Sequence, residues 1–369
     1  MRWSHLADAG PPALPLSLPG AVTRTFDTPE FAGMTFYEIR ARSIINRVPG
    51  TSRVPFQWTV NPYRGCSHAC VYCFARNTHT YLDFDPGHDF DSRVVVKINA
   101  GELLRRELVA PRWAGGHIAM GTNVDCYQRA EGRYRLMPEI LAALRDAANP
   151  FSILTKGTLI TRDLDLLCQA AEVTTVGLSM SIGFVDEALW RLVEPGTPSP
   201  RRRLDAVRRL SDAGFAVGVL LAPILPGLTD TAESIDATVA AVAAAGAASV
   251  TPIVLHLRPG AREWYAAWVA RHRPDLLARY RQLYGPGSYA PAAYARGVSA
   301  RVRVAARRHG LDRHDEPGTD DEPTSDGARG SDSEPASDSD KANARRIAPP
   351  APAVHKARKA EVASQPTLL

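Results

Sequence analysis

The chain has 369 residues, 45% of them hydrophobic and 22% charged, with a net charge of +5. That apolar content supports one large core of about 250–300 residues with extensions, while no apolar run approaches the roughly 18 residues of a membrane span. The start lacks a basic region followed by an adequate apolar segment, and three of the five cysteines crowd into residues 66–73, so a cytoplasmic, reducing setting is expected rather than secretion with a disulfide framework.

Residues 1–55 read as an N-terminal extension in which RARSIINRVPG (40–50) forms a short helix ending near Pro49 and Gly50. FQWTV (56–60) is the first strand and runs directly into a cysteine loop. After the polar and aromatic stretch THTYLDFDPGHDFD come an accessory strand, VVVKI (94–98), and a helix, ELLRREL (102–108). A regular rhythm starts at residue 117. HIAMG (117–121) precedes the helix MPEILAALRDA (137–147), whose Pro138 suits a first turn. FSILT (151–155) precedes ITRDLDLLCQAA (160–171), where Thr161 is the expected cap, Asp163 or Asp165 suits the first turns, and Cys168 is expected in the core. TVGLSMSI (175–182) leads to LDAVRRLSDAG (204–214), and FAVGVLLAPIL (215–225) to DTAESIDATVAAVAAAG (230–246), both helices stopped by glycine. SVTPIVLHL (249–257) closes the series.

Six strands, most followed by a helix, predict an α/β core with a parallel sheet over residues 56–257. The pattern does not choose between an open sheet and a partial barrel. A Gly-x-Gly-x-x-Gly fingerprint after the first strand and a Walker-type phosphate loop are both absent. Residues 258–312 read as a helical extension. Beyond them, residues 315–340 carry ten acids against one base, and residues 341–369 carry six bases against one acid. Such a tail, 313–369, is expected to be disordered. Subtracting −9 and +5 from +5 leaves +9 on residues 1–314. This basic balance fits either a nucleic-acid partner or simple solvation.

The string NPYRGCSHACVYCFAR (61–76) carries the chemistry. Three residues separate Cys66 from Cys70, and two separate Cys70 from Cys73. Thiolates are soft ligands suited to iron–sulfur clusters or zinc. With no fourth cysteine nearby, a cubane held here keeps one iron open to an outside ligand. The zinc reading needs His68 or His79 as fourth donor, and lacks the second Cys-x-x-Cys or Cys-x-x-His pair of structural zinc sites.

CSHACVYC, with Tyr72 as its aromatic residue, resembles the Cys-x-x-x-Cys-x-aromatic-Cys signature of the radical S-adenosylmethionine (SAM) superfamily, placed as expected after a first strand. The resemblance implies a partial (β/α)6 TIM-like barrel and a [4Fe–4S] cluster on Cys66, Cys70 and Cys73. It further implies SAM at the open iron, cleaved by one electron to a 5′-deoxyadenosyl radical that abstracts hydrogen. GTNVDCYQRAE (121–131) is similar to the family's Gly-Gly-Glu region, which assigns Gly121, Thr122 and Asn123 to the SAM amino group; the glutamate is missing here. LTKGTLITRD, GLSMSI, EPGTPSPRRRL and LLAPILPGLTD resemble the spore photoproduct lyase-like branch. By that resemblance Lys156, Ser179 and Ser181 approach SAM; the plain alternatives are an exposed lysine and interior hydroxyls bonded to backbone. Pro226 and Gly227 form a tight turn that lets backbone approach the adenosyl group.

Arg201, Arg202 and Arg203 open a helix against its dipole, so Arg203 requires an anion: SAM or substrate carboxylate, Glu194, or an ordinary surface salt bridge. Cys126, where the relatives have proline, is either a hydrogen-atom donor to a substrate radical or a spare buried thiol. The implied partners are a one-electron reductant such as ferredoxin or flavodoxin, and DNA or RNA carrying a lesion. RNA, protein or metabolite modification, and a non-catalytic iron–sulfur or zinc module, are the competing functions.

Overall fold

The computed structural model describes residues 18–49 and 54–311. The expectations for the first residues and for the charged tail fall outside the described residues. Six parallel strands follow one another in chain order across the main sheet: β1 (Trp58–Val60), β2 (Ile118–Met120), β3 (Phe151–Thr155), β4 (Val176–Ser181), β5 (Gly218–Ile224) and β6 (Ser249–Val254). Among the described residues β1 and β6 are not paired with each other. The sheet is therefore the partial barrel that the motif resemblance implies, and each strand ends in a loop on the same rim.

Side-chain alternation sorts the two faces of the sheet. Phe151 and Ile153 of β3, and Leu178 and Met180 of β4, are buried in the main core. Ile140, Leu141 and Leu144 of helix Leu136–Asp146, with Val207 and Leu210 of helix Pro200–Asp212, cover that side. The intervening residues Ser152, Leu154, Ser179 and Ser181 occupy the other face, toward the lumen.

Residues 40–49 correct the sequence expectation of a helix over 40–50. Ile45–Arg47 is instead an edge strand antiparallel to β1, with Ile45 opposite Val60. The Glu107 carboxylate accepts from the backbone N–H of Ile44 at 3.0 Å and of Ile45 at 2.9 Å. Two adjacent β-branched residues beside an unpaired strand edge favour the ladder over a helical turn. VVVKI is an accessory strand, as read, but belongs to a separate sheet. There Arg93–Lys97 lies between Thr35–Ile39 and the two-residue strand Tyr63–Arg64, with Val22–Arg24 beyond.

Two local expectations also change. Thr161 does not cap the next helix: it lies in a 3₁₀ turn, Thr158–Asp163, with its hydroxyl bonded to the Thr158 carbonyl at 3.0 Å. Asp163 takes the cap position, but its carboxylate serves Arg162 and the Tyr127 hydroxyl. Cys168 is half-buried rather than in the core; Leu167 and Ala170 fill the buried face of its helix.

The helices Ala261–His272, Leu277–Tyr284 and Ala292–Arg308 follow β6. Tyr265, Trp268, Tyr280 and Tyr284 from the first two build a second core with Leu255 and Leu257, into which Cys70, Val71 and Tyr72 also pack. The cysteine loop is thus wedged between the barrel rim and this extension.

Glu131 locks the accessory sheet to the barrel. Its fully buried carboxylate accepts from the Tyr63 hydroxyl at 2.6 Å, from Arg162 at 2.6 Å, and from the backbone N–H groups of Leu136 and Met137 at 3.0 and 3.1 Å. Replacing it leaves a buried phenol and two helix N–H groups without a partner. Glu131→Ala is expected to lower stability by roughly 3 kcal/mol, read as a fall of about 10 °C in the apparent Tm.

Candidate cluster and cofactor site

Cys66, Cys70 and Cys73 lie between the strand Tyr63–Arg64 and the 3₁₀ segment Phe74–Leu82. Cys66 and Cys70 are each 7% exposed and Cys73 is half-buried; all three are free thiols. The loop is supported largely from outside. Gln128 spans it, accepting from the Ser67 N–H at 2.9 Å and donating to the Gly65 carbonyl at 2.9 Å. The Cys66 N–H reaches the Phe90 carbonyl, Arg76 donates to the Cys70 carbonyl at 2.9 Å, and Val71 and His68 bond the backbone of Val193 and Gly196. Gly196 has no room for a side chain, since a Cβ there lies 2.1 Å from the Ser67 carbonyl oxygen.

Burial pushes all three thiols up. The Cys66 thiol is pushed further by Asp125 and by the other two cysteines, and the Cys70 thiol by Glu194, while Arg76 pulls the Cys73 thiol back. A metal cation would supply the compensation that a buried thiolate requires. Among the described residues no three His, Cys, Asp or Glu side chains converge on a position for a single ion. Each of the two histidines weighed as zinc donors has one ring nitrogen engaged, His68 Nδ1 at 3.3 Å from the Asp125 carboxylate and His79 Nε2 at 2.8 Å from the Arg93 carbonyl, while the buried His79 Nδ1 has no hydrogen-bond partner.

The rim loops bring several further residues around this loop. Gly121 ends β2 at φ +75°, where a Cβ would sit 1.8 Å from the Leu154 carbonyl oxygen; Thr122 and Asn123 follow it, half-buried. Asp125, which the sequence reading passed over, joins three elements. It accepts from the Thr155 hydroxyl at 2.6 Å, the Lys156 N–H at 2.7 Å and the Tyr127 N–H at 2.9 Å, besides meeting His68. Burial pushes its carboxyl up, but His68 and these hydrogen bonds together bring it below the ordinary range.

Lys156 reaches across the lumen. Its Nζ donates to Ser181 Oγ at 2.5 Å and to the Ala222 carbonyl at 3.1 Å, and lies 3.5 Å from Glu194 Oε1. Glu194 also accepts from the Tyr72 hydroxyl and pairs with Arg203 at 2.5 Å, while Arg203 donates to the Ser181 carbonyl at 2.8 Å. The counter-charge of Arg203 is therefore Glu194, and the pair is internal, each residue 0% exposed; Arg201 and Arg202 are exposed. Tyr72, Lys156, Ser181 and Arg203 form one network. Ser179 shares the lumen face of β4 but stands opposite Gly218, apart from it. Pro226 is buried in the turn after β5, where the Leu225 N–H bonds Thr229. Cys126 is 1% exposed and packed in the main core, with Asp125 and Glu131 acting on its thiol.

The radical SAM superfamily model matches residues 60–239, from the last residue of β1 into the helix after β5. The chain belongs to the radical SAM superfamily. This radical SAM enzyme is 47% identical over 317 residues to an uncharacterized protein of Mycobacterium tuberculosis (strain ATCC 25618 / H37Rv), a match covering 84% of this chain and 93% of that one. It is 30% identical over 203 residues to an uncharacterized protein of Methanocaldococcus jannaschii, covering 54% of this chain and 72% of the other. Its fold is similar to that of spore photoproduct lyase complexed with dinucleoside spore photoproduct, at a TM-score of 0.55 and 17% identity over 75% of this chain and 80% of that one. SAM binding and iron–sulfur-dependent radical chemistry are those of the superfamily. Among the described residues no helix is long and apolar enough to cross a membrane.

The buried network makes a pH prediction. Burial pushes the Glu194 carboxyl up, but Arg203 and Lys156, with the hydrogen bonds of Tyr72 and Arg203, hold it down at about 2, against 4.5 for an ordinary glutamate. Its stabilisation is complete above about pH 4.5 and is lost as the pH falls toward 2, an effect on the order of 3 kcal/mol. In acid unfolding followed by circular dichroism, Glu194→Gln is expected to flatten that limb relative to wild type.

Proposed function

We propose that Cys66, Cys70 and Cys73 hold a [4Fe–4S] cluster with one iron open to SAM, and that the lumen wall beside them receives the cofactor. The observation that carries this reading is the donor set: three free thiols on one clamped loop, with no fourth cysteine in that loop. Thiolates around one tetrahedral zinc ion lie about 3.8 Å apart and need a fourth donor. A cubane spreads three thiolates over three irons and leaves its fourth iron to a ligand from outside.

In this reading Gly121, Thr122 and Asn123 offer backbone and amide groups to the SAM amino group. Lys156 and Ser181, with Ser179 on the same face, line the polar wall, and Pro226 with Gly227 brings the β5 turn toward the adenosyl group. Tyr72 and Arg203 act through Glu194 and hold that wall in place. Bound together, cluster and SAM supply a reductively generated radical able to take a hydrogen atom from a substrate. The protein's part is to orient the two, keep water away, and present one C–H bond. Residues 56–257 form the catalytic core, 258–312 its helical cover, and 1–55 and 313–369 extensions.

We further propose a lesion in a nucleic acid as substrate, with ferredoxin or flavodoxin as electron source. Two observations support the substrate: the likeness of fold to spore photoproduct lyase, itself solved with a dinucleoside photoproduct, and the +9 balance of residues 1–314.

Anaerobic reconstitution with dithionite and SAM tests the first proposal. About four irons per chain and free 5′-deoxyadenosine are expected, both lost in Cys70→Ala; a chain that takes up zinc and never cleaves SAM contradicts it. For the substrate, SAM cleavage is expected to rise several-fold with ultraviolet-irradiated oligonucleotide over undamaged strand, and equal rates with both would remove the lesion from consideration.

A further inference from the structure

Glu194 sits where two chain segments meet. On one side of it the Val193 carbonyl accepts from the Val71 N–H at 3.0 Å, and on the other the Gly196 N–H donates to the His68 carbonyl at 3.0 Å. The segment is thus seated on the cysteine loop along its whole length. From that seat the carboxylate turns inward, with one oxygen toward Tyr72 and Lys156 and the other on Arg203. Glu194 and Arg203 are fully buried, and the Lys156 side chain is 12% exposed. The three carry one negative and two positive charges.

We infer that Glu194 is a positioning residue that makes the cluster harder to reduce, and that Lys156 opposes it and makes reduction easier. The inference rests on the cluster reading above. Charges in a site closed to water act over several ångströms with little screening. Reducing a cluster adds negative charge, so a nearby carboxylate disfavours the reduced form and a nearby ammonium favours it. The cysteine loop is within range of both. Lys156 Nζ lies 5.9 Å from the centre of the Tyr72 ring, between Cys70 and Cys73 in the chain. Tyr72, two residues from Cys70 and one from Cys73, donates its hydroxyl directly to Glu194.

This arrangement holds the two opposing charges in fixed places. Arg203 neutralises one carboxylate oxygen and, by bonding the Ser181 carbonyl, ties Glu194 to the end of β4. Lys156 is fixed by Ser181 Oγ and the Ala222 carbonyl at the ends of β4 and β5. Neither charge can move away from the loop without breaking a buried hydrogen bond.

The test is the midpoint potential of the anaerobically loaded full-length protein, without SAM, from a redox titration followed by electron paramagnetic resonance. Glu194→Gln, which keeps the shape of the side chain and removes its charge, is expected to shift the midpoint upward. Lys156→Met is expected to shift it downward, and Lys156→Arg to restore the wild-type value. A role confined to packing changes stability or iron content without producing shifts of opposite sign. Potentials that stay at the wild-type value, or move the same way in both variants, overturn the inference while leaving the cluster reading intact. Wild-type protein that takes up no iron overturns both. If Glu194→Gln fails to load, Lys156→Met decides alone: a downward shift supports the inference and an unchanged potential refutes it.

Discussion

A loop that carries three cysteines within eight residues cannot also fill its own interior, because cysteine side chains give its backbone almost no hydrogen bonds. The remaining partners must come from elsewhere in the chain, since buried N–H and C=O groups left unpaired are too costly to keep. Here they come from three directions. Gln128 spans the loop from the end of β2, the backbone of residues 193–196 seats it from the β4 side, and Arg76, paired with Asp91, holds the Cys70 carbonyl from the loop's own continuation. The partial barrel is the frame that brings these suppliers to one rim.

The same reasoning explains the density of charge around the site. Asp125 ties the β2 loop to the end of β3 and to His68, and Glu194 ties the cysteine loop to β4 and the helix after it. Each carboxylate is saturated by donors that stay put. Buried ion pairs contribute little net stability compared with apolar packing, but removal of one partner is severe. Such pairs therefore act here as registration devices, fixing where each rim loop lies relative to the thiols.

Much of the architecture was legible from residue pattern. The six parallel strands were visible because runs such as FSILT and TVGLSMSI are short, apolar and followed by amphipathic helices with glycine stops. Ile45–Arg47 was not, because three residues carry no period, and only the unpaired edge of β1 makes them a strand. The thiol spacing was plain in the sequence, and Glu194 could be named as one candidate counter-charge for Arg203. Asp125, Gln128 and Glu131 were missed although they lie in the string GTNVDCYQRAE, where only Gly121, Thr122, Asn123 and Cys126 suggest a role. Their roles depend on partners some 30 to 68 residues away in the chain, and separation of that kind leaves no mark in local spacing. Cys126 stood out in the loop after β2 as a candidate hydrogen donor, and it is buried in the main core at 1% exposure.

What unites these features, in the reading proposed above, is a cysteine loop shaped by its surroundings to hold a cluster with one coordination position outside the polypeptide. Mössbauer spectroscopy of the protein loaded anaerobically with ⁵⁷Fe, recorded with and without SAM, addresses that claim most directly. The account predicts a cubane spectrum in which one iron site changes its parameters when SAM is added while the others stay as they were. A spectrum indifferent to SAM, or protein that binds zinc in place of iron, would contradict it.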